Sequence, residues 1–381
     1  MIVCMRTLTR PLSAAALLGA AVLALTACST EPAHEYTVSG DAGLWLDDGY
    51  SAGVSETFDA AGRVCGVADG VFVDQVQAEN GQVSVRAIDT ATGDEVWTLD
   101  DALCGEAPGG QVAVASLGPD GSHIELADIA TGDAAPLLDA DGVIESLSVL
   151  GETEHGWIVQ YATGSETRVG VHASPDRPAW SGAFPGQRQC TLLDGHVGCA
   201  GETSFTVLTA ERGEVTAENA ELGTLRITWL SDGYVLQDPT ASEAPDPVGA
   251  LYALDGNEVR LIEQTEDVPP APAGALFTSA DYMLDDAVAV TAAGSAVATV
   301  DRDGIEFHGD DAAEPGSAAL AVSAGGQALA VDTGDAVVLL GADGDELAQL
   351  GPSGSEVHVV DGWLVVFDPA SWTTTVFAPA G

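Results

Sequence analysis

The apolar residues of this chain fall in short runs in which they alternate with polar or small residues. Val71–Val76 and Gln82–Ile88 alternate in this way, Arg63–Val67 precedes them, and Val96–Leu99 follows them. A period of two predicts β-strands with one buried face, and the Asp-Gly, Asn-Gly and Thr-Gly pairs between the runs predict tight turns. The segment 63–99 therefore predicts four consecutive antiparallel strands.

The four-strand pattern recurs along the chain. The turn before the fourth strand returns about every 42 residues, a spacing that indicates a repeat architecture, and it lies at positions 93, 132, 176, 213, 256, 304 and 344. Further units are predicted over 145–180 and 319–350, and no long helical pattern interrupts them. Four short strands per period are typical of one blade of a β-propeller. The predicted fold class is all-β.

Two of the turns share the sequence Asp-x-x-Thr-Gly-Asp, and two units carry a tryptophan shortly after the turn. The residues concerned are Asp89, Thr92, Gly93 and Trp97 in the first copy, Asp128, Thr131 and Gly132 in the second, and Trp180 in a later unit. This pattern resembles the tryptophan-docking repeat of the quinoprotein-type (PQQ-like) β-propellers. The resemblance implies that the tryptophan of one blade packs beside the turn of a neighbour. That family includes both quinoprotein dehydrogenases and non-enzymatic lipoprotein scaffolds.

The predicted number of blades follows from the repeated turns and from the C-terminal segment that remains after the last of them. The remainder supplies three strands, Val357–Val360, Trp363–Phe367 and Thr373–Phe377, and lacks a fourth. Either Tyr36–Val38 or Leu44–Leu46 would supply it, which would close the ring and remove exposed sheet edges. We therefore predict a propeller of eight four-stranded blades closed by N- and C-terminal strands, with seven blades as the alternative.

The N-terminus has the features of an export signal. Arginines precede an apolar run from Leu12 to Leu25, and the sequence Leu-Thr-Ala-Cys ends at Cys28. A positive flank, a short apolar run and small residues make up a secretory signal, and the last four residues resemble the lipobox of bacterial lipoproteins. An ordinary signal peptide or an anchor helix is the alternative. The predicted segments are a signal peptide over 1–27, a tether over 28–35 that begins at lipidated Cys28, and a single β-propeller domain over 36–381.

An even number of cysteines in an exported protein predicts disulfides. Apart from Cys4 and Cys28, the chain contains Cys65, Cys104, Cys190 and Cys199. An Asp-Gly pair midway between the last two predicts a hairpin that places them opposite each other. The other two then pair by elimination, in corresponding strands of neighbouring repeats. This is one of three possible pairings, and free buried thiols are the alternative to disulfides.

The excess of acidic residues argues against some classes of binding partner. The chain has 59 acidic residues against 11 basic ones, no lysine and a net charge of −48. This balance argues against nucleic acid and anionic lipid headgroups, because binding to both requires positive charge. We expect a monomer that touches the membrane only through its lipid anchor.

The candidate chemistry is sparse. Resemblance to the quinoproteins implies adjacent cysteines stacked on a quinone cofactor and a calcium ion held by an acid and an amide. The chain has no adjacent cysteines and three asparagines, so we expect no quinone cofactor. Acids beside Asp-Gly turns suit hard cations, and the weak calcium candidates are Asp139, Asp141, Asp301 and Asp303. Because Asp-Gly is also a common hairpin turn, we predict no dedicated metal site.

The function that we expect is non-catalytic. A lipid-anchored propeller at the outer face of the cytoplasmic membrane would bind a protein or cell-envelope ligand through loops on one face of the ring. The alternative is an exported hydrolase or oxidoreductase with acids and histidines at the channel mouth. The histidines available for it lie at positions 34, 123, 155, 172, 196, 308 and 358.

Overall fold

The structure is a computed structural model, and its described residues begin after the predicted signal peptide and tether. It describes residues 45–78, 81–118, 121–174, 177–219, 225–237, 249–256, 258–265, 288–292, 295–300, 305–307, 318–323, 326–342 and 344–381. A 3-10 helix, Asp48–Ala52, precedes the first strand. None of the helices in these ranges has the length and apolar character that a membrane crossing needs.

All other regular elements described are β-strands. The first sixteen are β1 (Val54–Ala60), β2 (Arg63–Ala68), β3 (Val71–Gln77), β4 (Val83–Asp89), β5 (Glu95–Asp100), β6 (Ala102–Glu106), β7 (Gln111–Gly118), β8 (Gly121–Asp128), β9 (Ala134–Ala140), β10 (Ser146–Thr153), β11 (Gly156–Thr163), β12 (Glu166–His172), β13 (Pro178–Pro185), β14 (Gln189–Leu193), β15 (His196–Ala200) and β16 (Phe205–Thr209). The remainder are β17 (Val215–Asn219), β18 (Arg226–Leu230), β19 (Gly233–Gln237), β20 (Gly249–Asp255), β21 (Glu258–Thr265), β22 (Val288–Ala292), β23 (Ser295–Val300), β24 (Ile305–Phe307), β25 (Ala318–Val322), β26 (Ala328–Asp332), β27 (Ala336–Gly341), β28 (Glu346–Pro352), β29 (Glu356–Val360), β30 (Trp363–Asp368) and β31 (Thr373–Pro379).

Consecutive strands form antiparallel sheets. We name them sheet A (β2–β5), sheet B (β6–β9), sheet C (β10–β13), sheet D (β14–β17), sheet E (β18–β21), sheet F (β22–β24), sheet G (β25–β28) and sheet H (β1 with β29–β31). Seven of them have four strands, and sheet F has three in the described residues. Apart from β1, which pairs with β31, each strand pairs with a neighbour along the chain, as antiparallel hairpins allow.

The first strands of successive sheets touch one another. β25 contacts β29, β29 contacts β2, β2 contacts β6, β6 contacts β10, and β10 contacts β14. A series of four-stranded sheets whose first strands meet around one axis is the architecture of a β-propeller. The fold is therefore an all-β propeller, and β25, β29, β2, β6, β10 and β14 are the innermost strands of their sheets.

Asp-Gly turns join the first and second strands of two sheets. In sheet A, Asp69 and Gly70 have φ of 50° and 75°, and in sheet H, Asp361 and Gly362 have φ of 48° and 83°. Two consecutive positive φ angles make the type I′ turn that matches the twist of a two-residue hairpin. The turn of sheet H places Asp361 in the wall of a cavity along the innermost strands.

The strand that completes sheet H is not one of those predicted. β1 pairs antiparallel with β31, with Phe58 opposite Val376. Tyr36–Val38 lies outside the described residues, and Leu46 forms only an isolated parallel bridge with Ser323 of sheet G. The prediction that an N-terminal strand joins the C-terminal strands is confirmed, but its position was wrong. Leu46 is buried in the cluster that includes Leu339 and Leu350 of sheet G, so it contributes side-chain packing there.

The number of complete blades also differs from the prediction. We predicted eight four-stranded blades with seven as the alternative, and the described residues form seven four-stranded sheets, so the preferred number was wrong and the alternative agrees with the structure. Sheet F, where the expected turn at position 304 lies outside the described residues, shows three strands, β22 to β24.

The core lies between neighbouring sheets. Val73 and Val85 of sheet A pack against Val112 and Val114 of sheet B and against Ile129, which follows β8. All five side chains are buried. Small and β-branched residues allow two sheet faces to approach closely. Each interface therefore holds two rigid sheets in a fixed relative position around the axis.

Candidate functional site

Trp97 connects the outer part of sheet A to sheet B. Its indole Nε1 donates a hydrogen bond of 2.9 Å to the carbonyl oxygen of Ile129. Its ring lies against Gly132, where a Cβ would come within 2.8 Å of Trp97 Cγ. Since Gly132 also has φ of +76°, a side chain there would meet both strain and collision.

Trp180 makes the same contacts from sheet C to sheet D. Its Nε1 donates to the carbonyl oxygen of Ala210 at 2.9 Å. A Cβ on Gly213 would come within 2.5 Å of the indole. The other residues of the predicted motif act within their own turns.

The predicted aspartates and threonines stabilise these turns. Asp89 Oδ1 accepts from the backbone N–H groups of Ala91 at 2.8 Å and Thr92 at 3.0 Å. Asp128 Oδ1 accepts from Thr131 N at 2.9 Å in the same way. The turns then reach Gly93 and Gly132, both with positive φ. An aspartate that accepts from the N–H groups two and three residues later is a common way to form a tight turn.

The structure contains two disulfides. Cys65 and Cys104 join β2 to β6, with Cα atoms 6.0 Å apart, so this bond crosses from sheet A to sheet B. Cys190 and Cys199 join β14 to β15, with Cα atoms 4.0 Å apart, so this bond stays within sheet D. The two cysteines of the second disulfide are directly opposite each other in the hairpin. Cys28 lies outside the described residues.

A glutamine connects the inner strands at each of these two interfaces. Gln75 Oε1, on β3, accepts from the backbone N–H of Cys104 at 3.0 Å. Gln160 Oε1, on β11, accepts from the N–H of Cys190 at 2.9 Å. Neither glutamine was among the residues predicted from the sequence. The available signal was a glutamine at the same place, the fifth residue, in both β3 and β11.

A cavity of about 1210 Å³ lies along the innermost strands. Residues from five sheets form its wall: A, B, C, D and H contribute β2, β6, β10, β14 and β29. Uncharged hydrogen-bonding side chains are frequent in the wall, and they include Ser146, Ser148, Gln187, Gln189, Thr191 and Thr203. Such a wall offers many donors and acceptors to a polar ligand.

Acidic groups line one part of this cavity. Asp361 Oδ2 accepts from the backbone N–H of Val67 at 3.0 Å. The pKa of Asp361 is raised to about 6, because burial and the charge of Glu106 raise it by more than the Val67 hydrogen bond lowers it. Glu106 Oε1 lies 3.6 Å from Arg63 Nη2. This part of the wall therefore carries net negative charge that falls when Asp361 binds a proton.

Arg188 contributes positive charge to another part of the wall. Its backbone is fixed by sheet C, since its N–H donates to Thr167 Oγ1 at 2.9 Å and its carbonyl oxygen accepts from Gln160 Nε2 at 2.8 Å. Its side chain reaches sheet D, where Nη2 donates to Ser204 Oγ at 2.9 Å and Nη1 to Thr206 Oγ1 at 3.2 Å. Arg188 was not among the predicted site residues, because its surroundings come from two different sheets.

Two of the four calcium candidates lie within the described residues. Asp139 Oδ1 lies 2.6 Å from His123 Nδ1 on the exposed face of sheet B. Asp141 follows the same strand, whereas Asp301 and Asp303 lie outside the described residues. Within the described ranges, a different exposed group, Glu154 with His155 and Glu211, brings possible ligand atoms within 4.8 Å of one another. No sequence signal pointed to it, because Glu211 comes from another sheet.

The histidines lie away from the cavity as far as the described residues show. His34 and His308 lie outside the description, and none of the other five is among the cavity-lining residues. His172 is buried in sheet C, and desolvation lowers its pKa. His196 is buried in the hairpin of sheet D, where its Nδ1 lies 2.8 Å from the carbonyl oxygen of Asp194.

The segment Gly49-Tyr50-Ser51-Ala52-Gly53, which was not among the predicted sites, fits the Gly-x-Ser-x-Gly pattern of many serine hydrolases. In those enzymes the serine lies on a sharp turn from a strand into a helix. Here the pattern lies in the 3-10 helix and ends at Gly53, directly before β1, so the order of elements is reversed. Tyr50 is buried, and its hydroxyl donates to the carbonyl oxygen of Phe377 and accepts from Leu364 N.

No protein-family model matches the chain, and no curated protein matches it. The β-propeller domain of Cps50 (Swd1) from Myceliophteria thermophila is similar in structure at 10% identity and a TM-score of 0.40, over 85% of this chain and 98% of that one. The β-propeller domain of the Trilobed protease from Pyrococcus furiosus is similar at 12% identity and a TM-score of 0.37, over 85% of this chain and 94% of that one. The acylaminoacyl peptidase from Pyrococcus horikoshii is similar at 14% identity and a TM-score of 0.36, over 84% of this chain and 50% of that one. The family of the chain stays unassigned.

Proposed function

We propose that this protein is a non-catalytic binding module that takes up a protein or cell-envelope ligand in the cavity formed by its innermost strands. The cavity itself is the observation that carries the proposal. Its volume of about 1210 Å³ exceeds the roughly 300–1,000 Å³ that small-molecule pockets usually have. A site of this size accommodates a segment of a larger ligand.

The rigidity of the wall supports binding. Three neighbouring pairs of the sheets that line the cavity are joined near their inner edge by a side chain, since Asp361, Gln75 and Gln160 each accept from an N–H of the next sheet. A wall that is ordered before the ligand arrives loses little conformational entropy on binding. This favours recognition of a defined chemical group.

We also propose that the chain is exported and attached by lipid at Cys28 to the outer face of the cytoplasmic membrane. The arginines, apolar run and Leu-Thr-Ala-Cys sequence of the N-terminus support this location. The two disulfides support it independently, because such bonds persist in oxidising compartments. The docked tryptophans support the resemblance to the quinoprotein-type propellers, and we place the chain with their lipoprotein members.

Site-specific photo-cross-linking in intact cells tests the binding proposal. A photoreactive amino acid replaces Thr203, which lines the cavity and is exposed, or Val215, which is exposed on the outer strand of the same sheet. We expect one defined product from position 203 and none from position 215. The mature protein is first checked by mass spectrometry for an acylated Cys28 at its N-terminus.

Two results would overturn the proposal. The first is a product at position 203 no stronger than at position 215. The second is turnover of a small substrate by the purified protein at the cavity, which would favour an exported enzyme. An unprocessed N-terminus would contradict the lipid anchor while leaving the binding proposal in place.

A further inference from the structure

Arg188 differs from four other arginines of this acidic protein in its surroundings. Four described arginines have a carboxylate oxygen within 3.6 Å, and they are Arg63, Arg86, Arg168 and Arg212. For Arg188, no carboxylate oxygen among the described residues comes within the ion-pair distance of 4.0 Å. In a chain with 59 acids, an arginine of the cavity wall that is held by hydroxyl groups is unusual.

The guanidinium of Arg188 is held in place but its hydrogen bonds are incomplete. Ser204 and Thr206 occupy two of its five N–H donors. Its Nε is buried and has no acceptor among the described residues. The ring of Phe184 lies 4.8 Å from its Cζ. Desolvation lowers the pKa of Arg188, as expected for a cation that lacks a nearby anion.

We propose that Arg188 binds the terminal carboxylate of a peptide in the cavity. A carboxylate supplies the negative charge and the two acceptor oxygens that a guanidinium binds best. The remaining N–H groups of Nη1 and Nη2 are the donors, and Ser204 keeps the guanidinium in position. This inference rests on the proposed function, because it assigns the ligand of the same cavity.

The rest of the wall selects among anions. Glu106, Glu145, Glu202 and Asp361 line the cavity together with Arg63 and Arg188, so acids outnumber bases. A doubly charged phosphate would meet this negative potential. A peptide with both a carboxylate and an ammonium group would place its negative end at Arg188 and its positive end near the acids. A zwitterionic peptide therefore fits the wall better than a phosphate.

Binding of small peptides to the purified mature protein tests this assignment. The probes are trialanine with a free carboxylate, trialanine with a C-terminal amide, and inorganic phosphate, each titrated by calorimetry and by the NMR signal of the Arg188 Nε–H group. We expect the free acid to bind about tenfold more tightly than the amide, because the amide loses a charge-assisted bidentate pair. The acidic wall alone would favour the amide, which carries more positive charge.

Two variants test whether Arg188 itself binds the carboxylate of the peptide. Arg188→Gln should weaken binding of the free acid about tenfold, whereas Arg177→Gln, which removes the same charge from an exposed residue outside the wall, should leave it unchanged. Equal binding of acid and amide, preference for phosphate, or no binding of the free acid would overturn the inference. These outcomes need only the wild-type protein.

The two proposals fail separately. If cross-linking at Thr203 persists in the Arg188→Gln variant and trialanine does not bind, the cavity binds a ligand without the predicted carboxylate contact. If trialanine binds through Arg188 but no cellular product forms at Thr203, the site exists and the proposed function is wrong.

Discussion

The interface between sheets A and B and the interface between sheets C and D have the same inner and outer hydrogen bonds, but they differ in their disulfides and in the presence of Arg188. In both, a tryptophan connects the outer strands and a glutamine connects the inner ones. At the first interface a disulfide also joins the two inner strands, whereas the disulfide at the second stays within sheet D. Arg188 extends from the end of sheet C to sheet D at that second interface.

This difference shows how one repeated interface serves two purposes. The covalent bond between β2 and β6 fixes sheets A and B, and the two charged side chains that this interface contributes to the cavity wall, Arg63 and Glu106, pair with each other. Between sheets C and D, side chains that carry hydrogen-bond donors cross the boundary, and part of their capacity remains unused. We infer that the first interface contributes mainly stability and the second contributes to ligand binding.

A third interface uses a carboxylate for the inner connection. Between sheets H and A, Asp361 accepts from Val67 N–H, where the other two interfaces have a neutral amide. A carboxylate can bind a proton and an amide cannot in the physiological range. The three interfaces should therefore respond differently to pH.

The largest expected effect comes from the outer connections. Trp97→Ala and Trp180→Ala should each lower the free energy of unfolding by about 3 to 5 kcal/mol, because a large ring leaves a cavity beside a neighbouring sheet. Urea unfolding measures the loss. Trp372→Ala is the matched control, since that side chain is 82% exposed and its loss should change little. Equal effects of all three substitutions would show that docking contributes no stability.

The second largest effect is expected on removing a disulfide, and the loss of stability should differ between the two bonds. Replacing both Cys65 and Cys104 by alanine opens a loop of 39 residues and should cost about 4 kcal/mol by loop entropy. The same change at Cys190 and Cys199 opens a loop of 9 residues and should cost about 2.5 kcal/mol. Thermal unfolding of the two double variants tests the order, and a larger loss at the second pair would reverse our comparison of the interfaces.

The smallest effect should appear only on changing pH. Because burial raises the pKa of Asp361 to about 6 from its ordinary 3.8, its stabilising contribution is complete below 3.8 and is lost as pH rises through 6. Asp361→Asn should accept the same hydrogen bond without titrating. Relative to this variant, the wild type should lose about 2 kcal/mol between about pH 4.5 and pH 7.5.

Parallel pH profiles of wild type and Asp361→Asn would contradict that assignment. Gln160→Glu is the converse test, since it introduces a titratable group where an amide is present. It should make the interface between sheets C and D less stable at neutral pH than at acidic pH.

Local sequence patterns predicted most strands and turns. Alternation identified the strands of sheets A, C and G, and the Asp-Gly pair at 194–195 predicted the hairpin in which Cys190 lies opposite Cys199. Such features depend on neighbours along the chain, so periodicity and turn chemistry are enough to reveal them. The closing strand was misplaced, because several short N-terminal segments have similar alternation and only pairing with β31, hundreds of residues away, selects Val54–Ala60.

The sequence by itself determined the repeat length, the all-β class and the acidic character of this protein. Only the tertiary structure decided which segment completes sheet H, that sheet F has three described strands, and that Arg188, Gln160 and Asp361 face one cavity. The physical reason is that a strand pattern depends on side chains two residues apart. The stagger between sheets, which brings Val67 to Asp361 and Cys190 to Gln160, depends on how whole sheets pack.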